Sequence, residues 1–176
     1  GYMIQQSLQN KLRKKKIDRE VVTLITQVIV NAKDPNITNP QKFIGPRYEK
    51  EDAKRLAGKF KWHIKEQENG QWRRVVSSPM PEYIMHGKSI KALVDRGTIV
   101  ISSGGGGIPV VNNNDGYLEG LDAVIDKDFS AAKLGRIIKA QELWIITDID
   151  SVYTNFGKKK QKRIKSITKN RIKQYY

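Results

Sequence analysis

Apolar and polar positions alternate along this chain in blocks that predict an α/β protein. Residues 1–16 place Met3 or Ile4, Leu8 and Leu12 at helical spacing, which predicts an amphipathic helix. Val21 to Val30 is apolar and rich in β-branched side chains, and predicts a buried strand. Ser89 to Arg96 reads as a helix closed by Gly97, and Thr98 to Ile101 as a short buried strand. Val124-Ile125 ends another apolar stretch, Phe129 to Lys139 reads as a helix, and Leu143 to Thr147 as a third buried strand. Asn155-Phe156-Gly157 is a turn, and Thr168 to Tyr176 starts a basic helix. Strands alternating with helices predict a mostly parallel sheet with helices on both faces. In such sheets ligands bind beyond the carboxyl ends of the strands.

One block breaks the pattern. Residues 33–80 are more polar and hold Pro35, Pro40, Pro46 and Pro79. Asn69-Gly70 is a two-residue hairpin signal, because a type I′ turn needs positive φ at both central positions. Its arms run from Trp62 to Glu68 and from Gln71 to Val76, and Glu49 to Leu56 is a short helix candidate. The block reads as a small subdomain inserted between elements of the main sheet.

Composition narrows the chemistry. With 176 residues, 38% hydrophobic and 29% charged, the chain suits one globular domain able to bury a core. The absence of cysteine excludes disulfides, thiolate metal sites and a cysteine nucleophile, and fits a reducing compartment or any other. Two histidines, His63 and His86, are too few for a zinc site of about four ligands. No run approaches the roughly 20 apolar residues of a membrane span, and the first residues do not form a signal peptide. The chain does not begin with Met, so it reads as a fragment or a processed product. The net charge of +15, from 33 Lys+Arg against 18 Asp+Glu, admits a polyanion partner or a phosphorylated substrate. Its spread along most of the chain favours solvated lysine-rich faces, so a nucleic-acid partner is not expected.

Three motifs sit at predicted strand ends. Gly104-Gly105-Gly106-Gly107 lets the backbone approach a ligand closely and turn N–H groups toward an anion. A flexible linker has similar composition, but this run lies between two apolar stretches. No Lys-Ser or Lys-Thr follows, so it is not a P-loop. On this reading Gly105→Val disrupts the loop sterically. Asp126-Lys127-Asp128 stands at a strand-to-helix junction. Either acid could cap the helix, yet a lysine in the first turn opposes the helix dipole by roughly 0.3–1 kcal/mol. Held between two acids, Lys127 could instead contact a phosphoryl group. Thr147-Asp148-Ile149-Asp150, followed by Tyr153, could serve a metal or a ribose hydroxyl, or be a polar turn, with Tyr153 stacking on a base or covering the core.

Together with Thr26 to Val30, Ile44-Gly45-Pro46 and Arg73 to Val76, these motifs resemble the carbamate kinases, in order and over nearly the whole chain. The resemblance implies an open, mostly parallel three-layer α/β/α sandwich of the amino-acid-kinase type, incomplete at both ends, with 33–80 as an inserted protruding subdomain. It implies a cytoplasmic homodimer exchanging a phosphoryl group between ATP/ADP and carbamate/carbamoyl phosphate, with Mg2+ on the nucleotide, in arginine breakdown. Lys127 matches a lysine on the transferred phosphoryl group, and Asp128 the acid that orients catalytic lysines. Lys42 matches a lysine on the inserted subdomain, and Gly104 to Gly107 the substrate loop. Thr147, Asp148, Asp150 and Tyr153 fall in the nucleotide-side segment. Phe43 and Ser77 stand where the family has proline, which loosens the inserted backbone. The family's Gly-Gly-Asn loop would precede Gly1, and a second catalytic lysine would follow Tyr176. The alternatives to an active kinase are an inactive remnant that binds nucleotide weakly and a basic nucleic-acid-binding protein.

Overall fold

The computed structural model describes residues 1–67 and 69–175; Glu68 and Tyr176, at the ends of the predicted hairpin arm and terminal helix, lie outside the described residues. In chain order the elements are α1 (Tyr2–Lys14), β1 (Val21–Thr23), β2 (Gln27–Val30), α2 (Pro35–Thr38), β3 (Lys42–Tyr48) and α3 (Lys50–Phe60). They continue with β4 (His63–Glu66), β5 (Trp72–Val76), β6 (Pro81–Ile84), α4 (Gly87–Asp95), β7 (Ile99–Ile101) and β8 (Ile108–Asn112). The last are β9 (Leu118–Gly120), α5 (Lys127–Ile138), β10 (Val152–Thr154), β11 (Lys162–Ile164) and α6 (Lys169–Ile172), with a 3₁₀ turn at Lys173–Tyr175. Two compact units result, 1–143 and 144–175.

The first unit is built around a core of Val28, Val30, Ile84 and Ile125, with Val111, Leu121, Leu134 and Ile137 packed against it. Each fully buried Val or Ile stabilises the fold by about 1.5–3 kcal/mol relative to exposure. Four strands run in the order β6-β2-β8-β9, with β2 and β8 parallel and the outer pairs antiparallel. A separate parallel pair joins β1 to β7. Helix α1 packs on β1, α4 on β7 and α5 on β6. Gly87 lets α4 approach α5 closely, because a Cβ there would stand 2.6 Å from Ile137 Cγ2. Gly97, at φ +88°, ends α4 as its spacing predicted.

Several expectations change. The strand predicted over Val21 to Val30 is two strands separated by Leu24-Ile25-Thr26. The break arises because Thr26 spends its polar groups on the glycine-rich segment, as described below. In α1 only Leu12 of the predicted stripe is buried, while Met3 and Ile4 are exposed.

Residues 42–76 form their own antiparallel sheet, β3-β5-β4, covered by α3 through buried Ala53 and Val75. The predicted hairpin is present, with β4 paired antiparallel to β5. Gln67 N–H donates to the Gln71 carbonyl, and Gly70 at φ +78° donates to the Gln67 carbonyl. The type I′ turn predicted at Asn69-Gly70 is entered from Glu68, so its conformation lies outside the described residues.

Where the chain enters and leaves this sheet it is tied down. Asp34 caps α2 through Asn36 N–H (2.8 Å) and accepts Met80 N–H (2.8 Å). These bonds hold the Asp34 carboxyl below its usual range, the Met80 contact most of all. Ser77, expected to loosen the backbone in place of proline, instead ties it. Its hydroxyl donates to the Ile37 carbonyl (2.7 Å), and its carbonyl accepts Val124 N–H (3.0 Å).

In the second unit β10 and β11 form an antiparallel hairpin. Residues 143–147 form no strand, contrary to expectation, and Trp144 and Ile146 are 78% and 83% exposed. An apolar run becomes a strand only where a neighbour offers a hydrogen-bonding ladder. Among the described residues no strand pairs with it.

Candidate active site

The glycine-rich segment occupies a gap opened in two parallel strands at the same level. On one side Leu24-Ile25-Thr26 separates β1 from β2; on the other, residues 102–107 separate β7 from β8. The ladder is spliced around the gap by Leu24 N–H to the Ile101 carbonyl (2.9 Å) and Ile108 N–H to the Thr26 carbonyl (2.8 Å). Thr26, buried, fastens the segment a second time. Its hydroxyl donates to the Leu24 carbonyl (3.1 Å) and accepts Ser103 N–H (2.9 Å).

Each glycine contributes differently. Gly106, at φ +139°, lies so close to Ile125 that a Cβ would stand 2.1 Å from its carbonyl oxygen. Gly107, at φ +93°, presses on Val28 Cγ2 and the Thr26 carbonyl. Gly104 has φ +46° but open space, and Gly105 has open space without positive φ. The expectation that Gly105→Val disrupts the loop sterically is therefore corrected: the close approach is at Gly106 and Gly107. Ser130, fully buried in the first turns of α5, donates its hydroxyl to the Gly106 carbonyl (2.6 Å).

Gly104 N–H donates to the Ser102 carbonyl (2.8 Å) and Gly106 N–H to the Ser103 carbonyl (2.7 Å). Gly105 and Gly107 N–H have no partner among the described residues. Those two are the donors left for an anion. Beside them lies a cavity of about 500 Å³, lined by Thr23 to Thr26, Ser102 to Gly105, Gly107 and Ala123 to Ile125 among others.

Asp126-Lys127-Asp128 begins where that lining ends. Asp126 caps α5, its Oδ1 accepting Asp128 N–H (2.9 Å). Its Oδ2 accepts a hydrogen bond from Lys42 Nζ, carried in on β3. That bond is the largest cause holding the Asp126 carboxyl below its usual range, opposed by partial burial and aided by Asp128 N–H. Lys127 Nζ lies 3.4 Å from Asp128 Oδ1, both side chains about half exposed. The two acids thus divide the two lysines, Asp126 holding Lys42 and Asp128 accompanying Lys127. The structure brings Lys42 and Asp126 together and places Lys127 and Asp128 on the same helical turn.

The remaining predicted residues lie in the second unit. Tyr153 donates its hydroxyl to both oxygens of Asp150 (3.0 Å each), and this bond is the main cause raising the phenol above its usual pKa. Thr147 donates to Asp148 Oδ1 (3.3 Å). A cavity of about 570 Å³ is lined by Ile145, Thr147, Ile149, Asp150, Tyr153 and Phe156, among others.

Among the described residues no group of three or more acidic or histidine side chains gathers as a metal cage. A Mg2+ carried on phosphates needs only one or two protein carboxylates. Asp128, half-buried, and Asp148, exposed, have the chemistry to supply one. No helix among the described residues is long and apolar enough to cross a membrane.

Sequence reading missed Thr26, Ser103 and Ser130 as loop-holding residues, since single hydroxyl residues in apolar or helical runs carry no local signal. Asp126 was legible as a cap but not as the partner of Lys42, which lies 84 residues away.

The spliced parallel strands, glycine loop and lysine-bearing helix turn match a known class. The sequence pattern of the amino acid kinase family covers residues 46–175, and the chain belongs to this family. Within it, the chain is similar to carbamate kinases. It is 45% identical over 176 residues to carbamate kinase of Pyrococcus furiosus, covering 100% of this chain and 56% of that protein. It is 46% identical over 175 residues to carbamate kinase of Clostridium perfringens, covering 99% and 55%. The solved structure of carbamate kinase from Giardia lamblia bound to citric acid superposes with a TM-score of 0.82 at 36% identity, over 89% of this chain and 50% of that one. The chain spans about half the length of the curated relatives it matches.

Proposed function

We propose that the protein carrying this chain is a carbamate kinase, catalysing ATP + carbamate = ADP + carbamoyl phosphate. The observation that carries the reading is the meeting of Lys42, delivered by the three-stranded sheet, with Asp126 at the junction between the glycine-loop cavity and α5. Phosphoryl transfer asks mainly for positioning and for positive charge around the moving group. In the ATP-forming direction an oxygen of the ADP β-phosphate attacks phosphorus. The P–O bond to the carbamoyl oxygen breaks, and carbamate leaves with that electron pair.

Gly105 and Gly107 N–H donate to substrate oxygens. Lys127 faces the transferred phosphoryl group, with Asp128 limiting its wander. Lys42 closes from the three-stranded sheet of the inserted subdomain (residues 33–80) and is kept in reach by Asp126. Thr147, Asp148, Asp150 and Tyr153 serve the nucleotide, Tyr153 offering a ring and Asp148 an exposed carboxylate. A bound Mg2+ would neutralise part of the nucleotide's phosphate charge. The same reading brings a cytoplasmic homodimer working in arginine breakdown, supported by the likeness to carbamate kinases.

The test is ATP formation from carbamoyl phosphate and MgADP by the protein at its natural length, beside its Lys127→Ala variant. The expected result is ATP from the parent and a rate lower by about a hundredfold or more in the variant, with unchanged circular dichroism. No ATP from a folded parent would favour the inactive-remnant reading. A near-normal variant would remove Lys127 from the mechanism.

A further inference from the structure

The three-stranded sheet presents a second cation on the face that carries Lys42, and this one meets no acid. Side chains alternate across a strand, so Lys42, Val76 and Arg74 share the face turned away from α3 and from buried Val75. Lys42 reaches Asp126 from that face. Arg74 stands diagonally beside it, opposite Ile44 on β3 and Ile64 on β4. It is half-buried, and its guanidinium lies over the Trp62 ring, 5.0 Å from the centroid. Among the described residues the guanidinium has no hydrogen-bond or ion-pair partner, and its nitrogens stay open to solvent. Its neighbour Arg73 differs: one nitrogen donates to the Gly45 carbonyl (2.8 Å), and Nε is sealed from solvent.

Arg74 and Trp62 line a cavity of about 450 Å³ where the sheet joins the rest of the first unit. Ile37 and Thr38 line it at the chain's entry to the sheet, Ser77 at the exit, and Asp122 from the segment before α5. The Ser77 hydroxyl ties exit to entry through the Ile37 carbonyl, so these walls are fixed to each other. Lys61, exposed and next in the chain to Trp62, adds a second cation without an ion pair among the described residues. Arg74 and Asp122 line one cavity without meeting, which leaves room for a ligand that answers both. A guanidinium over an aromatic ring keeps its N–H fork available, and that fork matches two oxygens of a carboxylate or phosphate. With Lys61 beside it, the positive charge suits the roughly two negative charges of a phosphate better than the single charge of a carboxylate. Asp122 can only accept a hydrogen bond when ionised. Inorganic phosphate keeps a P–O–H to give it near neutral pH, whereas sulfate has none.

We propose that this cavity is a binding site for inorganic phosphate, separate from the glycine loop. The Arg74 fork and the Lys61 ammonium donate to phosphate oxygens, and Asp122 accepts from the P–O–H. Bound there, phosphate bridges the sheet that carries Lys42 to the segment that leads into Asp126. The site stands whether or not the protein makes ATP, since none of its residues belongs to the kinase reading.

The experiment titrates inorganic phosphate, at constant ionic strength, into the 15N-labelled protein at its natural length. The reporter is the Trp62 indole N–H signal, identified by its loss in Trp62→Phe. The expected result is a saturable shift of that signal, with affinity lower by about tenfold or more in Arg74→Gln. Lys61→Gln should weaken it about threefold, as an exposed charge does. Sulfate should bind the parent more weakly than phosphate, and Asp122→Asn should narrow that gap. Lys61 and Asp122 are exposed, so their variants carry the test even if Arg74→Gln loses the fold. Lys127→Ala should leave the Trp62 titration unchanged. A Trp62 signal that never saturates, or that chloride moves equally, would overturn the proposal. So would a titration lost in Lys127→Ala and kept in Arg74→Gln, because phosphate would then be acting from the kinase site.

Discussion

The glycine loop and Thr147-Asp148-Ile149-Asp150 are both polar motifs at the ends of predicted buried strands, and their strands turn out differently. Around the loop every strand end is answered. Leu24 and Ile108 N–H splice the parallel ladder, Thr26 and Ser130 hold the loop by their hydroxyls, and Ile125 closes against Gly106. At 143–147 the apolar side chains are in place, yet the run forms no strand and stays exposed. Composition supplies the wish to be buried; a ladder partner decides whether a strand forms.

The contrast can be broken most forcefully at Gly106. Gly106→Ala puts a Cβ against the Ile125 carbonyl and should cost about 3 kcal/mol, read as a lower urea midpoint. Gly105→Ala in the same experiment should move stability by no more than about 0.5 kcal/mol, since open space surrounds it. Equal effects at the two glycines would show the loop to be the flexible linker that its composition also allows. At the other extreme, Ile146→Ser replaces a side chain 83% exposed and should change stability by less than about 0.5 kcal/mol. A loss of several kcal/mol there would mean that 143–147 is packed in the protein at its natural length, and the contrast would vanish.

Local signals carried much of the fold. The Gly97 helix stop, the α5 span and its Asp126 cap, and the hairpin near Asn69-Gly70 follow from residues a few positions apart. Features set by distant partners were not legible. Thr26 breaks a run that reads as one strand because its hydroxyl answers Ser103, 77 residues on. Ser77 looked like a loosened proline site, yet it ties the sheet's exit to Ile37. Lys42 and Asp128 came from family resemblance, whereas the acid that holds Lys42 is Asp126, met by Lys42 on β3 of the three-stranded sheet.

The central claim is that the loop is an oxyanion cradle with two donors left open. Backbone amide NMR of the isotopically labelled protein during titration with carbamoyl phosphate tests it directly. The account predicts that Gly105 and Gly107 N–H shift most, while Gly104 and Gly106 N–H, bonded inside the loop, shift little. Saturable binding that leaves Gly105 and Gly107 unmoved would contradict it.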